Sequence, residues 1–255
     1  MQKHLPSKYF YDEKGSRIFQ EIMHMEEYYL PRCELEILNE KSRQIANEIY
    51  HKEFDIIELG AGDGSKTLIF LEEVLKSDKK PTYIPMDISS DILEVNRRYI
   101  KAKLPELIVE PVAGDYLYTL KSLALNSKPR LVMFMGSNIG NFPGEKALEF
   151  IRLVNAYLNL GDYFLMGVDL KKNPQVIRDA YNDKGGVTRR FNLNLLERIN
   201  RELGADFNIQ AFEHYGVYNP LDGAALSFLV SMQEQDVHIA DHTFHFDKYE
   251  TIHTE

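Results

Sequence analysis

The sequence predicts a doubly wound α/β fold built on a parallel β-sheet. Five short, nearly continuous apolar segments with strand character alternate with segments that show helical periodicity. Strands that are apolar throughout are typical of a parallel sheet that helices cover on both faces. A glycine-rich turn, Gly60-Ala61-Gly62-Asp63-Gly64, follows the first of these strands. Because ligands of such folds bind at the carboxyl ends of the strands, this turn is the first candidate for a ligand site.

The alternation of strands and helices runs through the middle of the chain. The predicted strands cover residues 54–60, 82–88, 107–113, 131–135 and 163–170. The helices between them are predicted at about residues 66–76, 90–103 and 145–158. A further helix, at about residues 33–50, is predicted to lead into the first strand, because its apolar residues recur at helical spacing.

The pattern changes at both ends of the chain. Residues 1–32 are rich in aromatic side chains and contain a short amphipathic piece near residues 16–25. After residue 170, helices are predicted at about 174–181 and 187–203, and strands at 212–218 and 224–232. The tail, residues 237–255, is predicted to be another strand pair. These end segments do not continue the parallel sheet.

The overall charge argues against nucleic acid as a partner. The chain has 30 Lys and Arg against 39 Asp and Glu, a net charge of −9, without a long basic run. Cys33 is the only cysteine, which excludes an internal disulfide and favours a reducing compartment. Neither a signal peptide nor a run of about 20 apolar residues is present. We expect a cytoplasmic protein with no nucleic-acid or membrane partner, either a monomer or a weak homodimer.

The spacing of the glycine-rich turn fits neither of two common phosphate-binding motifs. A P-loop requires Gly-Lys followed by Ser or Thr, but Ser65 separates Gly64 from Lys66. A dinucleotide-binding turn requires G-x-G-x-x-G, and after Gly60 and Gly62 the third glycine comes one position early. The turn still suits a small charged ligand, because its glycines leave backbone N–H groups accessible.

Acidic residues at two further strand ends favour S-adenosylmethionine (SAM) as this ligand, with a nicotinamide dinucleotide as the alternative. SAM has a methionine carboxylate and ammonium, a ribose diol and an adenine, but no phosphate. Asp87 lies near the end of the second predicted strand, and Asp115 follows the third. These acids can accept hydrogen bonds from polar groups of the ligand, and Lys66 can meet its carboxylate.

Several longer motifs allow a more specific comparison. They are LPSKYFYD at 5–12 with Gly15-Ser16, EYY at 27–29, ELG at 58–60, GSNIGN at 136–141, GVDL at 167–170, FNLNLL at 191–196 and NRELGADF at 200–207. In these motifs the chain resembles the histidine Nα-methyltransferase family of ergothioneine biosynthesis, along almost its whole length.

This resemblance implies a Rossmann-like methyltransferase domain, residues 51–170, and a smaller α+β substrate-binding domain. The smaller domain would combine the arm, residues 1–50, with residues 171–255. The resemblance also implies a small amino-acid substrate. SAM would be held by Tyr28, Gly60, Lys66, Asp87, Asp115 and Tyr116, with Gly62 in the same turn. The α-amino-acid group of the substrate would be bound by Asn141 and Tyr181, with Tyr11 lining the pocket, and its imidazole would be recognised by Glu255.

Two departures from the family pattern leave the substrate open. Ala225-Leu226-Ser227 stands where the histidine enzymes carry a pocket methionine, which puts Ser227 in the substrate site. The chain also stops at Glu255, before the serine that partners this acid and before the last strands of the family's sheet. The edge beside the fifth strand is expected to be uncovered, paired with another subunit or filled by the C-terminal segment. Another amino acid or an aromatic amine, and a truncated non-catalytic homologue, therefore remain alternatives to histidine methylation.

The expected reaction requires neither a metal nor a covalent intermediate. His242, His245 and His253 match no standard metal-ligand spacing, so no metal site is predicted. An ammonium has no lone pair, so the substrate amine must lose its proton before it attacks the methyl group. Tyr11 is the first candidate for a catalytic role in this step.

Overall fold

The computed structural model describes residues 2–115, 119–121, 128–142 and 144–254. The chain divides into two compact units, Leu30–Asp169 and the combination of Met1–Tyr29 with Leu170–Glu255. We call them the sheet unit and the arm unit. The sheet unit begins before residue 51, because the helix Leu30–Glu48 packs its buried Leu38 into the core beside the sheet. The resemblance had instead grouped residues 1–50, which include this helix, with the smaller domain.

The described strands and helices are numbered in chain order. The strands are β1 (Lys3–His4), β2 (Glu53–Leu59), β3 (Lys80–Asp87), β4 (Ile108–Val109), β5 (Val112–Ala113), β6 (Arg130–Phe134), β7 (Tyr163–Met166), β8 (Phe212–Tyr218), β9 (Ala225–Ser231), β10 (Gln235–Ile239), β11 (His242–Phe246) and β12 (Thr251–His253). The α-helices are α1 (Glu13–Met23), α2 (Leu30–Glu48), α3 (Thr67–Lys76), α4 (Ser90–Lys103), α5 (Glu145–Tyr157), α6 (Pro174–Ala180) and α7 (Val187–Leu203). Short 3-10 helices cover Ser7–Phe10, Asn138–Asn141 and Ile209–Ala211.

The sheet unit contains a parallel sheet with the strand order β4-β3-β2-β6-β7, in which β5 also pairs with β3. Successive side chains alternate between two apolar clusters. One cluster contains Ile56 and Leu131, and the other contains Ile57 and Val132. Because successive side chains of a strand point to opposite faces, both faces of the sheet are covered. The predicted doubly wound α/β fold is confirmed.

The third predicted strand is interrupted. Residues 107–113 form two short pieces, β4 and β5, that pair with β3 on either side of Pro111. The N–H group of Glu110 still donates to the Tyr83 carbonyl at 2.9 Å, but Pro111 has no N–H group with which to continue the ladder. The proline was visible in the sequence and marks the break.

The arm unit is built on a sheet with the order β1-β12-β9-β8. Among the described strands of this sheet, β1 and β12 pair in parallel, and the other neighbours pair antiparallel. Helix α7 and this sheet share a core that includes Leu196, Phe212 and Leu229. The tail forms the hairpin β10-β11 and then β12, which pairs with β1 and β9. As far as residue 254, the C-terminal segment therefore does not pair with the edge beside β7, which was one of the three expectations.

The described residues of the two units contain no candidate membrane helix. Within the described ranges, no helix is both long enough and apolar enough to cross a bilayer. The longest described helix, α2, has charged residues along its length and buries only one side. Its buried positions include Glu34 and Ser42, so even that side is not uniformly apolar.

Candidate active site

The loop after β2 adopts the conformation for which its glycines are needed. Gly60, Gly62 and Gly64 have φ values of 71°, 55° and 76°. This left-handed region costs other residues about 1–2 kcal/mol. The N–H groups of Gly60 and Ala61 donate to the Met86 carbonyl oxygen of β3, at 2.9 and 3.0 Å. The loop therefore bends over the end of the neighbouring strand and keeps a fixed shape.

Asp87, the last residue of β3, also holds this loop. Its Oδ2 accepts a hydrogen bond from the Gly62 N–H group at 3.1 Å, and its Oδ1 accepts one from Ser89 N–H at 3.0 Å. Burial raises the pKa of the Asp87 carboxyl, and the hydrogen bonds from the Ser89, Gly62 and Ile88 N–H groups oppose this rise. Each carboxylate oxygen has a further lone pair, so ligand hydroxyls can also donate to Asp87.

Asp115 lies at the same edge of the sheet. In the pairing of β3 with β5, Asp87 is opposite Ala113, and Asp115 follows two residues later. In the pairing of β2 with β3, Leu59 is opposite Met86, immediately before Gly60 and Asp87. The predicted cofactor residues of the first three predicted strands are thus brought to adjacent strand ends. Tyr116, which was predicted to join them, lies outside the described residues.

Asn138 fills the space beside the first glycine of the loop. A Cβ atom at Gly60 would come within 2.9 Å of Asn138 Nδ2, and one at Gly136 within 3.5 Å. Asn138 begins the 3-10 helix Asn138–Asn141, whose last residue is the half-buried Asn141 predicted to bind substrate. This segment is one of the motifs of the family resemblance, but Asn138 itself was not predicted as a site residue.

Asn96 supports the other end of the loop. It is fully buried on α4, and its Nδ2 donates to the Gly62 carbonyl oxygen at 3.0 Å. A Cβ atom at Gly64 would come within 2.8 Å of the same nitrogen. Asn96 was not predicted as a site residue, although this side chain shares its helix face with the buried apolar residues Leu93 and Ile100. The signal available in the sequence was a polar residue at a helix position where the periodicity predicts an apolar one.

Glu58, on β2, is a buried acid beneath the loop. The Thr67 hydroxyl donates to its Oε1 at 2.7 Å, and the Tyr83 hydroxyl donates to its Oε2 at 2.5 Å. Burial raises the pKa of the Glu58 carboxyl to about 7, while these hydrogen bonds and the charge of Lys66 act in the opposite direction. The carboxyl therefore changes its protonation near neutral pH. An acid within an apolar strand was the sequence signal, but Glu58 served only as part of the ELG motif and was not predicted as a site residue.

Lys66, just before α3, pairs with Glu34 of α2. The two side chains are 24% and 11% exposed, so the pair is largely shielded from water. The other carboxylate oxygen of Glu34 accepts a hydrogen bond from the Gly136 N–H group at 2.5 Å. Lys66 and Gly136 line a cleft under the glycine-rich loop together with Glu58 and Gly60. Glu34 was not predicted as a site residue.

The aromatic site predictions in the arm unit fall into two groups. Tyr28 is buried, and its ring meets that of Tyr181 edge-on, with 5.8 Å between the ring centroids. The half-buried Tyr11 lies 5.4 Å from the Phe19 ring and 5.8 Å from the Phe191 ring. The structure thus joins Tyr28, predicted for the cofactor, with Tyr181, predicted for the substrate.

Ser227 is buried on β9, opposite Gly216 of β8. Its carbonyl oxygen accepts hydrogen bonds from the N–H group and the hydroxyl group of Thr254, at 2.9 and 3.0 Å. The Thr254 hydroxyl also lies 2.6 Å from Oδ1 of the buried Asn192. These bonds fix the chain as far as residue 254. Glu255, the predicted imidazole-binding acid, lies outside the described residues.

A comparison with known protein families identifies the family to which this sequence belongs. Residues 1–255 match the family model described as a histidine-specific, SAM-dependent methyltransferase. The chain belongs to this family. Membership confirms the predicted resemblance, the methyltransferase activity and the dependence on SAM.

The relatives of this methyltransferase include two bacterial proteins and a fungal protein. The chain is 34% identical to the histidine N-alpha-methyltransferase of Mycobacterium tuberculosis, over 99% of the chain and 78% of that protein. It is 35% identical to the protein of the same name in Mycolicibacterium smegmatis, over 93% of the chain and 73% of that protein. It is 29% identical to ergothioneine biosynthesis protein 1 of Schizosaccharomyces pombe, over 91% of the chain and 31% of that protein.

The residues of the methyltransferase sheet unit fit the cofactor. Gly62 has positive φ, and a Cβ atom there would meet no described atom within 4 Å, so the backbone is open on this side. Asp87 presents a half-buried carboxylate suited to a diol, and Lys66 presents a cation suited to a carboxylate. These groups complement the ribose and the methionine end of SAM.

Glu58 gives this methyltransferase a testable pH dependence of stability. Its pKa is raised from 4.5 to about 7, so the folded protein holds the proton more tightly than the unfolded chain. The resulting stabilisation is complete below pH 4.5 and is lost as the pH rises through about 7. Its size is on the order of 3 kcal/mol.

The expected result is that E58Q, which cannot ionise, lacks this fall in stability. Urea unfolding across the same pH range measures it, and E53Q, at the exposed first position of β2, is the matched control. We expect E53Q to keep the wild-type pH dependence. An unchanged dependence in E58Q would rule out Glu58 as its source.

Proposed function

We propose that the enzyme transfers a methyl group from SAM to the α-amino group of a free amino acid, with histidine as the preferred substrate. The match of the whole chain to a histidine-specific family supports this proposal most directly. The names of the two mycobacterial relatives, both histidine N-alpha-methyltransferases, support it further. Their similarity extends over nearly the whole chain rather than over the cofactor domain alone.

We assign the cofactor to the carboxyl edge of the parallel sheet. Asp87 would accept hydrogen bonds from the ribose hydroxyls, and Lys66 would bind the methionine carboxylate. Gly60 and Gly62 would let the ligand approach the backbone closely. Asp115 would contribute a further acceptor at the next strand end. The proposed cofactor set also includes Tyr28 and Tyr116.

For the substrate, we assign Asn141 and Tyr181 to the α-amino-acid group and Tyr11 to the wall of the pocket. Residues 171–255 and the arm would together form the substrate-binding part. Ser227 would line the side-chain pocket, and Glu255 would accept a hydrogen bond from an imidazole N–H group.

The protein contributes to the reaction by positioning the substrate amine and by providing a path for its proton. SAM supplies a methyl group bound to a sulfonium, which is already reactive toward an amine. The protein must present a neutral amine in line with the methyl–sulfur bond and exclude water. The new bond forms between nitrogen and carbon as the carbon–sulfur bond breaks, and the amine proton leaves to solvent or to an acceptor. Tyr11 is the side chain that we assign first to this acceptor role.

A second candidate substrate is another amino acid or an aromatic amine. Ser227 supports it, because this buried serine stands where the family's histidine enzymes have a methionine. A smaller, more polar side chain changes both the volume and the hydrogen-bonding capacity of a pocket. A bulkier or differently polar substrate side chain is therefore a specific alternative.

The test is a competition among free amino acids and aromatic amines with SAM that carries a labelled methyl group. We expect histidine to take up most of the label, measured by mass spectrometry. The S227M variant is expected to retain or increase the preference for histidine. Label on tryptophan or tyrosine derivatives, with none on histidine, would overturn the proposal in favour of the second candidate.

A further inference from the structure

Glu34 lies where three loops of the sheet unit meet. Its carboxylate pairs with Lys66 of the loop after β2 and accepts the Gly136 N–H group of the loop after β6. A Cβ atom at Gly167, just after β7, would come within 2.9 Å of Glu34 Oε1. Glu34 is on α2, which precedes the whole sheet in the chain. Its carboxylate is nevertheless at the strand ends where the cofactor is assigned.

We propose that Glu34 is a positioning and specificity residue that recognises the α-ammonium of SAM, while Lys66 binds the α-carboxylate. This proposal rests on the cofactor assignment under the proposed function. An α-amino-acid group carries one positive and one negative charge next to each other. Lys66 lines the cleft under the glycine-rich loop, and Glu34 contacts two of the lining residues, Lys66 and Gly136, so the pair brings both complementary charges to this part of the site.

Charge balance gives a reason for the glutamate. SAM carries a sulfonium, an ammonium and a carboxylate, a net charge of +1. With Lys66 alone, this part of the site would add a second net positive charge in a shielded place, where repulsion is stronger than in water. Glu34 makes the pair neutral and leaves the ammonium an acceptor. Glu58 does not supply the same fixed charge, because its pKa is raised to about 7.

The contact with Gly136 gives the recognition a fixed geometry. A glutamate that is only 9% exposed is rare unless its charge is paired and hydrogen-bonded. Glu34 meets both conditions through Lys66 and Gly136. The carboxylate is therefore held in one position before a ligand arrives, and the cost of ordering it on binding is small.

A ligand pair that differs only in the ammonium tests the proposal. S-Adenosylhomocysteine is compared with its desamino analogue, in which hydrogen replaces the α-amino group, by calorimetry without substrate. The wild-type protein is expected to bind S-adenosylhomocysteine about 10- to 100-fold more tightly, as for a charged hydrogen bond. In E34Q this preference is expected to fall below about 3-fold, while the analogue binds within about 3-fold of wild type. The exposed Glu36 on the same helix gives the control, E36Q, which should keep the full preference.

Each other outcome would contradict the proposal. Equal losses for both ligands in E34Q would mean that Glu34 only supports the loop. Unchanged or tighter binding of S-adenosylhomocysteine would mean that Glu34 only neutralises Lys66. If E34Q does not fold, the wild-type comparison still decides, since equal affinities of the two ligands would exclude recognition of the ammonium. No substrate is present, so a failure here is distinct from a failure to methylate histidine.

Discussion

Replacing Asp87 with alanine is expected to weaken the binding of SAM and S-adenosylhomocysteine by at least about 100-fold. The substitution removes the carboxylate assigned to the ribose hydroxyls, and each charge-assisted hydrogen bond is worth about 1.5–3 kcal/mol. It also removes the acceptor for the Gly62 N–H group, which holds the loop. Calorimetry with S-adenosylhomocysteine measures the loss directly.

Two further variants separate these effects of Asp87. D87N keeps an oxygen that can accept the Gly62 N–H group but has no charge, so we expect an intermediate loss of affinity. D91A removes an exposed acid from the first turn of α4 and is expected to bind like wild type. Unchanged affinity in D87A would refute the ribose assignment.

Replacing Gly64 with alanine is expected to destabilise the fold by roughly 2–4 kcal/mol. Part of this cost is the left-handed backbone, with φ of 76°. The rest arises because the new Cβ atom would come within 2.8 Å of Asn96 Nδ2, and Asn96 is fully buried and cannot move away freely. The displaced side chain would also lose its hydrogen bond to the Gly62 carbonyl oxygen. Urea unfolding gives the free energy.

Gly204 is the matched control for Gly64. It ends α7 in the left-handed region, with φ of 65°, but a Cβ atom there would meet no described atom within 4 Å. G204A should therefore show only the backbone cost, about 1–2 kcal/mol. Similar losses of stability in G64A and G204A would show that the contact with Asn96 does not matter.

The parallel sheet was predictable because its signals are local. Each strand is apolar throughout, and each predicted helix between strands has one apolar side. Parallel strands also align their carboxyl ends, so the sequence alone was enough to place Gly60, Asp87 and Asp115 together. The break at Pro111 was local as well, but the apolar run around it masked the missing N–H group.

The supporting shell of the site was not predictable by the same reasoning. Glu34 meets Gly136 across about a hundred residues of chain, and a glutamate on an amphipathic helix is normally read as exposed. Asn96 and Asn138 act by filling the space beside glycines, which depends on backbone positions that no periodicity reveals. The tail contains the predicted strand pair, β10 and β11, but the pairing of β12 was not predicted, because one of its partner strands, β1, lies at the other end of the chain.

The position of the transferred methyl group tests the central claim most directly. Histidine labelled with ¹⁵N is incubated with the enzyme and SAM carrying a ¹³C-methyl group, and the product is examined by NMR. The account predicts one-bond coupling of the methyl carbon to the α-nitrogen, and no coupling to either ring nitrogen. Methylation at a ring nitrogen, or histidine recovered without label while S-adenosylhomocysteine binds normally, would contradict it.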